Sequence, residues 1–270
     1  MNNLHRELAP IPAAAWAEIE AEARRTATRT LAGRRVVDVA GPAGPELSAV
    51  GTGHLRALEA PAEGVVVRRR EVQPVIELRV PFTVTRQAVD DVERGAKDSD
   101  WQPVKDAAQR IALAEDQAIF RGFPAAGIAG IAPGSSNPSV RLPADVREVP
   151  RAAAEALSRL RLAGVDGPYR LLLSAAAYTE VAETTDHGYP ILDHLARLLH
   201  DEPIWAPALD GALLLSARGG DYELHLGQDL SIGYQSHDDD HIELYLQESF
   251  TFLAYTAEAS VVLNADSSQS

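Results

Sequence analysis

Residues 103–121 read PVKDAAQRIALAEDQAIFR and predict one long helix. Pro103 suits the first turn of a helix, and Gly122 suits its end. The apolar residues recur every three or four positions and therefore share one broad face: Val104, Ala107, Ala108, Ile111, Ala114, Ala118 and Ile119. We expect this helix to be the spine of a packed domain.

A second amphipathic helix is predicted near the start of the chain, over residues 12–31. Pro12 suits its first turn, and apolar residues again recur at helical spacing: Trp16, Ile19, Ala23, Ala27 and Leu31. Gly33 stops the pattern. The segment 34–39 is short and strand-like, and the turn sequence GPAGP follows at 41–45.

Residues 47–84 are extended and carry few helix signals. The end of this range alternates strictly, with its apolar residues on one face of a predicted strand: Ile76, Leu78, Val80, Phe82 and Val84. We predict a long two-stranded arm. A hairpin with little core of its own is only marginally stable, so we expect the arm to lie against something else, such as another subunit.

A loop rich in glycine and proline, over residues 127–138, leads to a second predicted region. Its helices and strands are predicted at 149–163, 169–173, from Ser174 onward and at 191–199. Further strands are predicted at 212–216, 222–226, 230–234, 242–246 and 250–263. Helices and strands are mixed without a βαβ rhythm, which indicates an α+β fold. Residues 266–270 are expected to be disordered.

The chain has 270 residues, of which 46% are hydrophobic and 24% charged, so it can build a substantial core. The formal net charge of −14 argues against partners such as nucleic acid or an anionic membrane, because both draw on clustered basic residues. The absence of cysteine excludes disulfides and thiol chemistry. No apolar run could span a bilayer, and the first residues lack the features of a signal peptide. We therefore expect a cytoplasmic protein.

The local motifs of several enzyme classes are absent, namely G-x-S-x-G, the P-loop, G-x-G-x-x-G and H-E-x-x-H. We therefore expect no catalytic residues and no metal or cofactor. One cluster, HDDDH at 237–241, combines imidazole and carboxylate groups that suit a transition metal. Consecutive polar residues between two strand patterns are more typical of a solvated hairpin loop, which we favour. The alternative is a soluble metal-dependent hydrolase that uses His237, Asp239 and His241.

Segments spread over nearly the whole chain resemble the encapsulin family, also called linocin-like proteins, and the actinobacterial members in particular. They are LHRELAPIPAAAWAEIEAEA (4–23), LAGRRVVDVAGPAG (31–44), FTVTRQAVDDVERGAKDSDWQPVKDAA (82–108), AEDQAIFRGF (114–123), LAGVDGPYRLLLSA (162–175), DHGYPI (186–191), RGGDYELHLGQDLSIGY (218–234) and LYLQESFTFLAYTAEASVVL (244–263). The resemblance implies a shell subunit with no enzymatic activity, which assembles with itself into an icosahedral particle of roughly sixty copies. A capsid protein of a phage or a prophage is a further alternative.

The resemblance also implies the fold of tailed-phage major capsid proteins, with a peripheral domain, an axial domain and an extended E-loop arm. The expected boundaries are as follows: the N-terminal helix and the start of the peripheral domain at 1–46, the E-loop arm at 47–84, the peripheral domain with the spine helix at 85–129, the axial domain at 130–225, the C-terminal strands of the peripheral domain at 226–264, and a disordered tail at 265–270.

Family members enclose cargo enzymes, commonly dye-decolourising peroxidases or ferritin-like proteins, by binding a C-terminal peptide of the cargo. The resemblance implies that this peptide binds Leu31, Arg34, Asp38 and Ile232. The two charged residues would hold polar groups of the peptide, and the apolar pair would hold its side chains. Alternatively, Arg34 and Asp38 pair with each other or with neighbours. On the first interpretation, Arg34→Glu should leave shells intact and reduce cargo loading.

The resemblance further implies that one loop lines a pore on the fivefold axis, formed by Glu183, Thr184, Thr185, Asp186, His187, Gly188 and Tyr189. Rings of Asp186 and His187 would give the opening a charge that depends on pH, although the loop could equally be a mobile surface feature without effect on flux. Some members stack a tryptophan on a bound flavin. Here that position is Gln87, so we do not expect flavin.

Overall fold

The computed structural model describes residues 3–265 of the chain. Its α-helices are α1 (Ala13–Thr30), α2 (Arg86–Glu93), α3 (Gln102–Phe120), α4 (Ile131–Gly134), α5 (Val149–Leu162), α6 (Ala175–Glu183) and α7 (Ile191–Leu199). Its strands are β1 (Asp38–Ala40), β2 (Ala49–Leu58), β3 (Val67–Pro74), β4 (Ile76–Thr85), β5 (Val140–Leu142), β6 (Tyr169–Leu173), β7 (Thr185–Asp186), β8 (Tyr189–Pro190), β9 (Ile204–Trp205), β10 (Ala212–Ser216), β11 (Tyr222–Leu226), β12 (Ser231–His237), β13 (His241–Ala254) and β14 (Ser260–Ala265). This arrangement confirms the predicted α+β class. The predicted disorder of residues 266–270 lies outside the described residues.

The first sheet is built around β13, which pairs with β4, β11 and β12. Strand β4 runs antiparallel to β13 from the pair Thr85 and His241 to the pair Ile76 and Phe250. Strand β11 pairs with residues 250–254 and carries β1 in parallel on its other edge. Residues 244–253 of β13 are all buried, which makes β13 the central strand of this sheet.

Strand β13 continues through Gln247, Glu248 and Ser249, where the sequence predicted a break between strands at 242–246 and 250–263. That prediction was wrong, because three polar residues in a row imitate a turn. The three side chains are in fact buried, and each has a long-range partner: Arg79 for Gln247, Arg34 for Glu248 and the amide of Gln228 for Ser249. The interruption falls later, at the 3₁₀ turn Ala257–Ala259.

The hairpin of β2 and β3 projects outside both large sheets as a two-stranded arm. Apolar side chains on it remain exposed: Leu55, Leu58, Val65, Val66 and Val72. The arm is shorter than the predicted range 47–84, because residues 76–85 form β4 and pair with β13. Strict alternation is the same in a projecting strand and in a strand of a larger sheet, so the sequence pattern could not separate the two.

The second sheet has the strand order β5-β14-β10-β6-β9. Helix α5 packs on β10 and β14, and α7 packs beside α5. The predicted range 226–264 does not fall in one sheet, because β12 and β13 belong to the first sheet and β14 belongs to the second. Strand β11, which was predicted within the axial range 130–225, pairs in the first sheet. Pairing partners of apolar strands are set by tertiary packing, which the local pattern does not report.

Helix α3 joins the two hydrophobic cores and so acts as the predicted spine. Its first half, including Val104 and Ile111, packs with α1 and the first sheet. Its last turn, including Ile119 and Phe120, packs with the second sheet and α5. The observed bounds of α3 lie within one residue of the predicted ones. One rigid helix therefore fixes the relative position of both sheets.

The chain after α3 passes very close to its own helix end. Gly122 has a positive φ of 81°, and a Cβ atom added to Gly130 would lie 2.1 Å from the backbone nitrogen of Gly122. No real Cβ atom tolerates such a distance, so any side chain at position 130 must push the loop away from the helix. In contrast, a Cβ atom added to Gly134 meets no atom within 4 Å.

We predict that Gly130→Ala lowers the free energy of unfolding by about 1–3 kcal/mol, because it overpacks the contact between the loop and α3. Gly134→Ala, four positions along the chain, should leave stability unchanged or slightly raised, since alanine favours a helix. Thermal unfolding of both variants followed by circular dichroism checks the pair. Equal midpoints for Gly130→Ala and the wild type would contradict the close approach.

Candidate functional site

An open groove of about 460 Å³ lies between α1 and the start of β12. Helix α1 and the residue that follows it contribute side chains at helical spacing, which therefore form one stripe: Glu20, Ala23, Arg24, Ala27, Thr28 and Leu31. The facing wall consists of residues 229–232 and Leu246. Leu4 and Arg6 from the N-terminal segment complete the lining. A volume of this size is typical of a binding site for a small ligand or a few side chains.

The floor of the groove is apolar. Ala23, Ala27, Ile232 and Leu246 are each at least 96% buried, and alanines on α1 keep the groove open because they are small. Leu31 is partly exposed and follows α1 directly. The groove can therefore accept apolar side chains from a ligand, which would gain free energy by leaving water.

Beside this floor, the guanidinium of Arg34 donates hydrogen bonds to three carboxyl groups. The Nε atom of Arg34 donates to Oε1 of Glu115 at 2.8 Å, and its Nη2 donates to Oε2 of the same residue at 2.5 Å. Nη1 donates to Asp229 at 2.7 Å, and Nη2 also donates to Glu248 at 3.2 Å. The fork geometry of arginine suits this arrangement, since it presents several donors in one plane.

The carboxylates of this cluster come from distant parts of the chain. Glu115 lies on α3, Glu248 lies on β13, and Asp229 directly precedes Leu230 at the groove wall. Glu115 and Glu248 are almost completely buried, with 0% and 2% of the side chain exposed. Buried carboxylates require a partner, so Arg34 is a structural counter-ion for both.

The electrostatics of the cluster follow from burial and proximity. Burial lowers the pKa of Arg34, but hydrogen bonds and Coulombic attraction to Glu115 and Asp229 outweigh this and hold that pKa above its ordinary value. For Glu248, burial raises the pKa well above its ordinary value, and repulsion from Glu115 adds to the effect although Arg34 opposes it.

The neighbouring Asp116 fixes the turn that carries Arg34. Its carboxylate accepts hydrogen bonds from the backbone nitrogens of Ala32 at 2.8 Å and Gly33 at 2.9 Å. Burial raises the pKa of Asp116 to about 7, although these two hydrogen bonds lower it. Gly33 is required here because an added Cβ atom would lie 2.6 Å from Cδ1 of Ile119. The turn is therefore held against α3 by its backbone.

The structure brings three of the four predicted cargo-binding residues together. Leu31, Arg34 and Ile232 all line the groove. Asp38 lies in a separate small depression of about 100 Å³, where its carboxylate accepts a hydrogen bond from the backbone nitrogen of Gly220 at 2.6 Å. Arg34 and Asp38 do not pair with each other, but the other form of the alternative, pairing with neighbours, is confirmed: Arg34 pairs with Glu115, Asp229 and Glu248.

Sequence reasoning missed Glu115 and Glu248. A usable signal exists for Glu115, because it occupies a position in α3 that is otherwise surrounded by buried residues, and a buried carboxylate implies a cation nearby. The partner itself could not be found, since Arg34 and Glu248 are separated by more than two hundred positions. The expectation for Arg34→Glu must also change, because a fourth carboxylate there would destabilise the fold itself.

The predicted pore loop forms a tight hairpin of β7 and β8, which directly follows α6. Its two connecting residues, His187 and Gly188, both have positive φ, at 47° and 83°, as a type I′ turn requires. The side chain of His187 is 97% exposed, and its Nε2 lies 3.7 Å from Oδ1 of Asp186. The tip of this hairpin is therefore polar and open to solvent.

Residues 237–241 form the hairpin connection between β12 and β13, as the favoured interpretation predicted. Asp238 accepts hydrogen bonds from the backbone nitrogens of Asp240 and His241, which lower the pKa of its carboxyl group. Within residues 3–265, no group of three or more His, Asp or Glu side chains could hold a metal ion. In the same part of the chain, no helix is long and apolar enough to cross a membrane.

Two sheets on one spine helix, with a projecting hairpin, define a capsid-like subunit. The virus-like particle from Pyrococcus furiosus has the same fold, with a TM-score of 0.65 over 92% of this chain and 99% of that chain. A structure described as Mycobacterium phage Bobi gives a TM-score of 0.56 over 90% of this chain and 91% of that chain. Sequence identities of 15% and 19% mean that these likenesses show the fold alone.

Sequence comparison identifies the family. The model of the Linocin_M18 family, described as "Encapsulating protein for peroxidase", matches residues 1–251. The type 1 encapsulin shell protein of Brevibacterium linens is 67% identical over 98% of this chain, and that of Rhodococcus erythropolis is 65% identical over 97%; both are covered over 100% of their length. The protein of the same name from Mycobacterium tuberculosis is 60% identical over 98% of this chain and 100% of its own length. The chain belongs to the encapsulin shell protein family, which confirms the resemblance seen in the sequence.

We predict that Arg34→Gln lowers the free energy of unfolding by about 3–5 kcal/mol, because it leaves buried carboxylates without their cation. The matched control is Arg35→Gln. Arg35 is exposed and has no ion pair within residues 3–265, so its replacement should change stability by less than about 0.5 kcal/mol. Denaturant midpoints of the two variants decide the matter, and similar midpoints would rule out the structural role of Arg34.

Proposed function

We propose that this chain assembles with itself in the cytoplasm into an icosahedral shell of roughly sixty copies. The shell would enclose a cargo enzyme, either a dye-decolourising peroxidase or a ferritin-like protein. The groove beside α1 would bind the C-terminal peptide of that enzyme. The observation that carries the docking proposal is the open groove, whose floor is apolar and whose wall is held by Arg34.

The arm supports the assembly proposal. Val66 is 78% exposed, Leu55 is 56% exposed, and the hairpin has no core of its own. A two-stranded sheet with apolar side chains in water gains stability when a partner covers it. We infer that a neighbouring subunit provides this cover, as the described relatives are shell proteins.

The groove is suited to an extended peptide with small apolar side chains. Its long axis follows α1, so successive ligand residues could reach Ala23, Ala27 and Leu31 in turn. Because Asp116 and Glu115 anchor the wall near Arg34, the groove is formed before a ligand arrives. Preformed sites lose less free energy to ordering when they bind.

The loop 183–189 would line an opening where five axial domains meet, so that small substrates reach the cargo. Five copies of His187 and Asp186 would then surround one channel and give it a polar lining. The exposed, polar tip of the β7–β8 hairpin supports this proposal. The family and the fold indicate a structural role, and we do not propose a catalytic one.

The other functions considered from the sequence have less support. A hydrolase that uses His237, Asp239 and His241 lacks a converging ligand set among the described residues. A phage or prophage capsid protein has the right fold, but the phage structure compared above is only 19% identical. The relatives at 60–67% identity carry the name of an encapsulin shell protein.

For assembly, we predict that Leu58→Ser combined with Val66→Ser gives small oligomers, because it removes apolar surface that a neighbour would cover. The subunit should keep its circular dichroism spectrum, since the arm lies outside both cores. Leu58→Val with Val66→Ile preserves the apolar surface and should still give megadalton particles. Light scattering after size exclusion measures both, and full-size particles from the serine variant would refute the role of the arm.

For cargo docking, we predict that Leu31→Asp abolishes retention of a co-expressed dye-decolourising peroxidase that carries its own C-terminal peptide, because a charge would enter the apolar groove. Asp38→Asn should retain the enzyme, since Asp38 does not line the groove. The measurement is peroxidase per shell protein in purified particles, with the peptide-deleted enzyme as background. Loss in Asp38→Asn and retention in Leu31→Asp would place the site in the other depression.

A further inference from the structure

The charged residues that line the groove are mostly neutralised within the subunit. Arg6 and Glu20 form an ion pair at 2.6 Å, and the guanidinium of Arg6 also lies over the ring of Trp16. Arg34 and Asp229 form a second pair at 2.7 Å. Arg6 and Glu20 therefore balance each other, whereas the single charge of Arg34 is shared among Asp229, Glu115 and Glu248 and is not available to a ligand.

Arg34 is also unavailable for an ion pair with a ligand. Its Nε and Nη2 atoms are bonded to Glu115, and Nη2 also reaches Glu248. With Nη1 on Asp229, all three nitrogens already donate to carboxylates. A ligand carboxylate would have to displace one of these partners and leave it unpaired, which is costly for a buried group. Arg34 is a positioning residue of the groove wall.

One cation in the groove has no such partner. Arg24 lies on the stripe of α1 that faces the groove, one helical turn from both Glu20 and Thr28. It is exposed, and within residues 3–265 its guanidinium makes no ion pair and no hydrogen bond. The groove thus combines an apolar floor with one lining cation, Arg24, that has no ion-pair partner among residues 3–265.

We propose that Arg24 determines ligand specificity in this groove by binding a carboxylate of an otherwise apolar peptide. This inference rests on the proposed docking function and adds the chemistry of the ligand. The floor formed by Ala23, Ala27 and Ile232 takes apolar side chains, while the guanidinium of Arg24 forms a charge-assisted pair at the rim. The carboxylate belongs either to an acidic side chain or to the end of the peptide chain.

The test uses a fluorescent protein with a short C-terminal tail of Gly, Ser and Leu, co-expressed with the full-length chain. The tail carries Asp, Asn or Lys at its centre, and a fourth version extends the Asn tail with Gly and Ser to move the terminal carboxylate away. Shell variants are the wild type, Arg24→Glu and Arg29→Glu. Arg29 is exposed on the same helix but does not line the groove, so this control changes the net charge equally.

We expect wild-type particles to retain about three- to fivefold more of a carboxylate-bearing tail than of the Lys tail. Arg24→Glu should reverse this preference, and Arg29→Glu should preserve it. If the carboxylate is an acidic side chain, the Asp tail is retained better than the Asn tail. If it is the chain end, the Asn tail is retained better than its extended version.

The remaining outcomes separate this inference from the proposed function. Arg24 would be only a solvated surface charge if wild-type particles retained all tails equally, or if Arg24→Glu left the preference unchanged. Docking of the tail in the groove would stand in either case. Retention of no tail above the level of the tail-free fluorescent protein would overturn groove docking and, with it, the role of Arg24.

Discussion

One guanidinium, that of Arg34, donates hydrogen bonds to carboxyl groups from three separate parts of the chain. Glu115 comes from the spine helix α3, Glu248 from the central strand β13 and Asp229 from the groove wall. Two of these carboxylates are buried, so the cluster is tolerable only when helix, sheet and turn are docked together. The same interaction therefore ties α3 to β13 and fixes one wall of the groove.

The Arg34 cluster gives the side chains of the groove different roles. Because the guanidinium of Arg34 is occupied by buried carboxyl groups, it shapes the groove wall, and we assign recognition of a ligand charge to Arg24 instead. A similar division holds for the whole subunit. The two cores on α3 are closed within one chain, whereas the arm of β2 and β3 exposes apolar side chains and requires a partner. The two cores are thus stabilised within one subunit, and we propose that assembly covers the apolar side chains that one subunit leaves exposed.

The sequence predicted the elements well where local pattern decides, as in α3, α7 and β6, because apolar periodicity and Gly or Pro boundaries are local. It failed where tertiary contacts decide. The end of the arm was misplaced because β4 alternates like an arm strand, and β13 was split because its buried polar residues look like a turn. At the groove, family resemblance supplied Leu31, Arg34 and Ile232. The carboxylates around Arg34 could not be predicted, since their partners lie far apart in sequence.

We propose that the chain forms a closed shell whose ligand occupies the groove beside α1. A cryo-electron microscopy reconstruction of particles purified with a co-expressed, peptide-bearing peroxidase tests it most directly. We expect an icosahedral shell with extended density between α1 and β12, and with Arg34 still bound to Glu115. Absence of a closed particle, or ligand density at the Asp38 depression with an empty groove, would contradict it.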